Sequence, residues 1–185
     1  RLAIILGFFT KQIEGNNEVP GHFIFENNDN LPAYLFMSVI ISLFLGLFLS
    51  SEEIIKDRRI LHRESFLNLS RSSYLHSKIL IMFMLSAIQT ISYVLVGNLI
   101  LEIKGMTVSY CLVLFTASCF ANMLGLNISS GFNSVITIYI LIPFLLIPQL
   151  LFGGVIVKYE KLHESLTSYE YVPFVGDLMA SRWAY

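Results

Sequence analysis

GMTVSYCLVLFTASCFANMLGLNISSGFNSVITIYILIPFLLIPQLLFGGVIV, residues 105–157, runs for 53 positions without an Asp, Glu, Lys or Arg. About 20 apolar residues cross a bilayer, so the run accommodates two crossings and is too long for one buried helix. The polar stretch Asn127-Ile-Ser-Ser-Gly-Phe-Asn133 is its clearest break and reads as a short loop between spans at 106–126 and 134–157. Pro143 and Pro148 lie inside the second of these. Two such prolines suit a membrane helix, where neighbouring helices or local 3₁₀ geometry satisfy the freed carbonyls.

The same pattern extends toward the N-terminus. Residues 31–50 and 79–101 are charge-free and rich in Leu, Ile and Phe, giving two more spans. Pro32 falls in the first turn of the earlier one, where its missing N–H costs little. The opening Leu2–Thr10 is apolar but too short to span, and reads as the tail of a span that begins upstream. The final Ser181-Arg-Trp-Ala-Tyr185 carries no terminating signal, so the sequence reads as part of a longer chain. Composition agrees with a membrane protein. The 185 residues are 55% hydrophobic and 14% charged, against about 25% charged in soluble domains, with mean hydropathy +0.69. A net charge of −1 gives no reason to expect a nucleic-acid partner. Cys111 and Cys119, eight apart, lie about 12 Å from each other on one helix, too far for a mutual disulfide.

Orientation follows from the cations, which concentrate in cytoplasmic loops. Residues 51–78 hold Lys56, Arg58, Arg59, Arg63, Arg71 and Lys78, half of the chain's 12 Lys and Arg. Residues 11–30 hold one lysine among four acids, with Pro20-Gly21 as a breaker, and the 102–105 turn holds one lysine. These assign 51–78 to the cytoplasm and 11–30, 102–105 and the tail 158–185 to the outside; alternation of the spans, with no charge to test it, puts 127–133 inside. In that tail Tyr159 to Tyr171 reads as a shallow re-entrant helix, and Trp183 and Tyr185 suit the interface. The expected fold is an all-α polytopic bundle: one transmembrane domain with four complete spans and the end of a preceding one.

Within 51–78, Ser51-Glu-Glu has the form of a helix cap ahead of Ile54, Ile55, Ile60 and Leu61 among charges of both signs. Asp57-Arg-Arg-Ile-Leu-His-Arg-Glu64 resembles the acid-Arg-x-x-Phe-x-Arg-Glu signature after the second span of G-subfamily ABC exporters, members of the ABC-2 type permease group. Asp57 stands for the usual Glu and Leu61 for the Phe, while Arg58, Arg63 and Glu64 match. Ser70 to Tyr74 is similar to the polar stretch before that family's third span. Phe152-Gly-Gly-Val-Ile-Val157 is similar to the segment closing its fifth, and Ser181 to Tyr185 to the stretch before its sixth.

The resemblance implies the permease part of an ATP-driven exporter, a homodimer or heterodimer in the plasma (inner) membrane. Its nucleotide-binding domain would lie on the same chain or on a separate subunit and would carry ATP and Mg. It implies a cytoplasmic coupling helix whose contacts include Asp57, Arg58, Leu61, Arg63 and Glu64, and a hydrophobic constriction at Val155 and Ile156. Phe36, Phe44 and Phe144 are the candidates to line a cavity for an apolar or amphipathic cargo. No glycine is followed by Lys-Ser/Thr, so no phosphate-binding loop lies in this sequence. A membrane-embedded enzyme is the alternative, with His62 near Asp57 and Glu64 its nearest approach to a catalytic group; a non-catalytic assembly subunit is another. The four histidines show no metal-ligand spacing. No charge sits deep in a span, which argues against an ion-coupled carrier. Gln89, Asn98 and Asn122 are expected to bond between helices.

Overall fold

In a computed structural model of the chain, the residues described are 1–11, 14–16, 19–22, 30–64, 70–102, 105–153, 155 and 174–185. The order is α1 (Leu2–Thr10), β1 (Glu14–Asn16), β2 (Val19–His22), α2 (Leu31–Ser50), α3 (Glu53–Glu64), α4 (Arg71–Leu101), α5 (Thr107–Gly131), α6 (Val135–Leu151), α7 (Phe174–Asp177) and α8 (Ala180–Ala184). The fold is helical apart from β1 and β2, an antiparallel ribbon pairing Glu14 with His22 and Asn16 with Val19. Pro20-Gly21 therefore sits inside a strand and does not break the chain. A two-stranded ribbon is all edge, so a proline can occupy it without costing a ladder bond.

Among the described residues, three helical stretches are long and apolar enough to cross a membrane: Leu31–Arg63, Ser72–Leu101 and Thr107–Gly131. The first runs through α2 into α3, because Ser51 keeps α-helical torsions between them. α6 is apolar but has 17 residues, about 26 Å, short of a hydrocarbon core of about 30 Å. It ends at Leu151, ahead of the expected 157, and passes through both Pro143 and Pro148.

Two other boundaries move. α4 starts at Arg71, eight residues before the expected 79; its 31 residues make about 46 Å, so its first turns project beyond the hydrocarbon and carry Tyr74 and Lys78 with them. α5 continues through Gly131, so residues 127–131 are its last turn and not a loop. The polar side chains there bond within the helix: Asn127 Nδ2 donates to Met123 O (2.9 Å) and Ser130 Oγ to Asn127 O (2.8 Å). The expected re-entrant segment, Tyr159 to Tyr171, lies outside the described residues.

The core is the α2–α5 interface, and it is built from small residues. Ser38, Ser42, Gly46 and Ser50 recur every fourth position on α2; Ala117, Ala121, Gly125 and Ser129 do the same on α5. All eight are buried. Such ridges let two backbones approach closely, which drives association where lipid removes the hydrophobic incentive. A β-carbon built at Gly46 would meet the Ser118 carbonyl oxygen and the Ala121 Cβ, each at 2.8 Å. Ser42 Oγ donates across the interface to Leu114 O (2.7 Å). Phe36, Val39, Leu43, Leu47, Val94 and Leu114 fill the space around the ridges.

α4 joins through polar bonds. Asn122 Nδ2 reaches Ser86 Oγ (2.7 Å) and Met82 O (3.3 Å), and Asn98 Nδ2 reaches Thr107 Oγ1 (2.8 Å), so both asparagines bond between helices as expected. Bonds of this kind in membranes average about 0.6 kcal/mol, so close packing must contribute most of the cohesion.

The two ends of the bundle separate the loops. Lys11 and Glu102 form an ion pair at one end (3.6 Å), while Arg58 meets Asn133 at the other. Residues 11 and 102 therefore share one end, and α3 and the close of α5 the other.

Candidate functional site: a clamped helix at one end of the bundle

α3 packs against the ends of α4 and α5 and is fixed by three separate contacts. Ser51 does not cap it: its hydroxyl donates back to Phe48 O (3.1 Å). The open amides at the start of α3 are taken by another helix. Ser129 Oγ, fully buried in the last turn of α5, accepts from the N–H groups of Ile54 (3.0 Å) and Ile55 (3.1 Å). A helix's first amides need such acceptors, and a side chain from a distant helix both caps and anchors it.

Arg58 supplies the second contact. Its Nη2 donates to Ser130 O (3.3 Å) and Phe132 O (3.1 Å), and its Nη1 to the side-chain oxygen of Asn133. These carbonyls close α5, where the helix dipole favours a cation and no intrahelical donor remains.

The third contact joins α3 to α4. Glu53 and Asp57 are one turn apart on α3, and Tyr74 and Lys78 one turn apart on α4. Lys78 Nζ sits between the two carboxylates, 2.8 Å from Glu53 Oε2 and 2.7 Å from Asp57 Oδ2, while Tyr74 Oη donates to Asp57 Oδ2 (2.9 Å). The bond from Lys78 holds the Asp57 carboxyl below its ordinary 3.8; partial burial opposes the shift and Tyr74 assists it.

Because the folded carboxyl is the stronger acid, its stabilisation is complete above the ordinary carboxylate range and is lost as pH falls through the lowered value. Asp57→Asn is therefore expected to reduce stability at pH 7 by about 1 kcal/mol, with the gap to the wild type closing once the pH falls below that value. Melting curves of both proteins from pH 7 into the acid range check this; a gap that does not narrow as the pH falls below 3.8 contradicts it.

Of the residues expected to couple, Asp57 and Arg58 thus face inward and bind this chain. Leu61 is half-buried and Arg63 exposed; the side chain of Glu64, the last residue of α3, lies outside the described atoms. Val155 packs part-buried against the core cluster, and Ile156 lies outside the described residues. The three phenylalanines are not brought together. Phe36 is fully buried, its ring filling the place that a Cβ on Gly153 would take and meeting Tyr185 edge-on at 5.9 Å. Phe44 stacks with Phe48 (6.0 Å), which meets Tyr139 of α6 (5.6 Å), on the outer face of the bundle. Phe144 is exposed further along α6.

Sequence reasoning missed Ser129, Asn133, Tyr74 and Glu53. For Ser129 a signal existed, the four-residue spacing of small side chains on α5, whose last member it is. Tyr74 and Lys78 also stand one turn apart, but reading them on α4 required its true start.

A family model described as ABC-2 type transporter matches residues 2–175. No curated protein and no solved structure matches the chain significantly. With a match over nearly its whole length and apolar helices of spanning size, the chain belongs to the ABC-2 type transporter family.

Proposed function

We propose that the chain is the permease of an ATP-driven exporter of the G-subfamily kind, working as a dimer in the plasma membrane on an apolar or amphipathic cargo. Its membership makes it an integral membrane protein and the membrane part of an ABC transporter, a family that typically partners with a nucleotide-binding domain. The observation that carries the finer reading is the clamp on α3, a surface helix tied at once to α4 and α5.

In this mechanism ATP closes the nucleotide-binding domains and displaces α3. Ser129 and Arg58 pass the displacement to the end of α5, and Lys78 passes it to α4. Interlocked small ridges make α2 follow α5, so these helices tilt together. α6 is the fourth crossing. It contacts α2 and α8, and Gln149 near its end is held by Ser181, whose N–H meets Oε1 (2.9 Å) and whose hydroxyl meets the main-chain oxygen (2.6 Å). Two prolines give α6 freedom to bend as the others tilt. Phe44 and Phe144, on the outer face, would turn toward the second protomer and the cargo. Phe36 is reached only when the end of α6 moves away, and Val155 with Ile156 closes the outer exit. The chain itself performs no bond chemistry; hydrolysis takes place on the nucleotide-binding domain, which supplies the ATP and Mg site.

The complete transporter in liposomes, with ATP added to the face bearing α3, is expected to move a fluorescent amphiphile from that face to the other. ATP-dependent flux in the reverse sense, or none across a panel of apolar amphiphiles, contradicts the proposal.

A further inference from the structure

Three tyrosines turn their hydroxyls in between the helices instead of out to the headgroups. Tyr34 is in the first turn of α2, Tyr93 in the second half of α4 and Tyr110 in the first turn of α5. A tyrosine near the end of a span ordinarily keeps its ring in hydrocarbon and its hydroxyl in the wet interface. Here Tyr34 is completely buried, and none of the three hydroxyl oxygens reaches the surface. Gly97 of α4 makes room for Tyr34, since a β-carbon there would collide with its Oη. The Tyr93 and Tyr110 hydroxyls stand beside that of Tyr34, and Tyr110 also neighbours Ser38. Yet none of the three is hydrogen-bonded to another or to any described residue. The small hydroxyls nearby are already committed: Ser38 Oγ donates to Leu35 O (2.6 Å) and Thr90 Oγ1 to Ser86 O (2.8 Å).

A cavity of about 10 Å³ lies between α2, α4 and α5, with Ser38, Ser42, Gln89 and Tyr93 in its wall. A space of that size admits one water molecule and nothing larger. We propose that a water molecule is bound there, bridging the hydroxyls of Tyr34, Tyr93 and Tyr110 inside each chain. A buried water makes about three hydrogen bonds, the number that three unpaired hydroxyls call for. Within a bilayer no other partner reaches them, so leaving all three open costs more than ordering one water. α2 packs closely on α5 and only lightly on α4, which puts the water in the looser seam. There it can trade partners among the hydroxyls as the helices shift, whereas a direct bond would fix them at one spacing. The tilting proposed above needs such a joint, but the water site does not depend on that mechanism.

The test uses the complete transporter in nanodiscs. A short X-ray pulse splits water into hydroxyl radicals, which add oxygen only to side chains that touch water. Peptide mass spectrometry is expected to find added oxygen on Tyr34, Tyr93 and Tyr110 although all three hydroxyls are buried. In Tyr34→Phe/Tyr93→Phe, oxygen uptake at Tyr110 is expected to fall about fivefold, because the water has lost two of its three partners. Tyr93→Phe alone is expected to lower the melting temperature by about 2 °C. An unhydrated hydroxyl predicts the opposite sign, since the substitution would then remove an unpaired buried polar group. Absence of added oxygen at all three tyrosines overturns the inference. So does undiminished uptake at Tyr110 in the double variant, or a higher melting temperature in Tyr93→Phe.

Discussion

Gly46→Leu is expected to prevent the bundle from assembling, because the residue sits directly against the backbone of α5. The obstruction is the Ser118 main-chain oxygen, 2.8 Å from the ideal Cβ position, and a main-chain atom cannot rotate away. Relief requires separating the helices, which opens gaps beside Ser42, Ala117 and Ala121 at once. Overpacking a close-packed site costs about 1–3 kcal/mol, and a leucine on a backbone contact falls at or beyond the upper end. Gly46→Ala should show a smaller loss of the same sign. Gly131→Ala is the control: nothing lies within 4 Å of its Cβ position, so alanine there is expected to be neutral or slightly stabilising. Melting temperature and the monodisperse fraction after detergent extraction report all three. A Gly46→Leu protein that melts with the wild type would show that α2 and α5 are not packed as described.

The second large effect concerns Arg58. Alanine removes the donors from Ser130 O, Phe132 O and Asn133, leaving the end of α5 without a cation and α3 held by Ser129 and Lys78 alone. The fold survives, since the site is solvent-exposed and two clamps remain. In the proposed mechanism transmission does not. Cargo-stimulated ATPase is expected to fall about tenfold, the scale of losing about 1–2 kcal/mol of coupling, with normal membrane insertion. Arg58→Lys should recover only part, because an ammonium cannot bridge two carbonyls and an amide in one plane. Wild-type stimulation in Arg58→Ala would remove α5 from the pathway.

How much of this was legible in the sequence depends on the interaction. Charge-free runs announced the apolar helices, and alternation of the spans between loops put residues 11 and 102 at one end and residues 58 and 133 at the other, as the Lys11–Glu102 and Arg58–Asn133 contacts have them. Boundaries were less legible where polarity was mistaken for a break. Asn127 and Ser130 read as loop, yet in lipid such side chains satisfy themselves on carbonyls of their own helix and the helix continues. The start of α4 was hidden for the opposite reason, since Tyr74 and Lys78 look like loop residues until Asp57 and Glu53 are placed beside them.

At the site, Asp57 and Arg58 were found by resemblance to a family signature, but their direction was not. A motif reports which residues recur, and only packing shows whether they face a partner or their own bundle. The three phenylalanines fared worse: with 15 Phe in the chain, composition cannot separate the buried Phe36 from the exposed Phe44 and Phe144.

Every step above requires α3 to be on the side of the membrane that holds ATP. The most direct measurement places a single cysteine at Arg59 in a background with Cys111 and Cys119 replaced by alanine, and treats cells with a membrane-impermeant maleimide. Labelling only after permeabilisation is the predicted result; labelling of intact cells would put α3 outside and contradict the account.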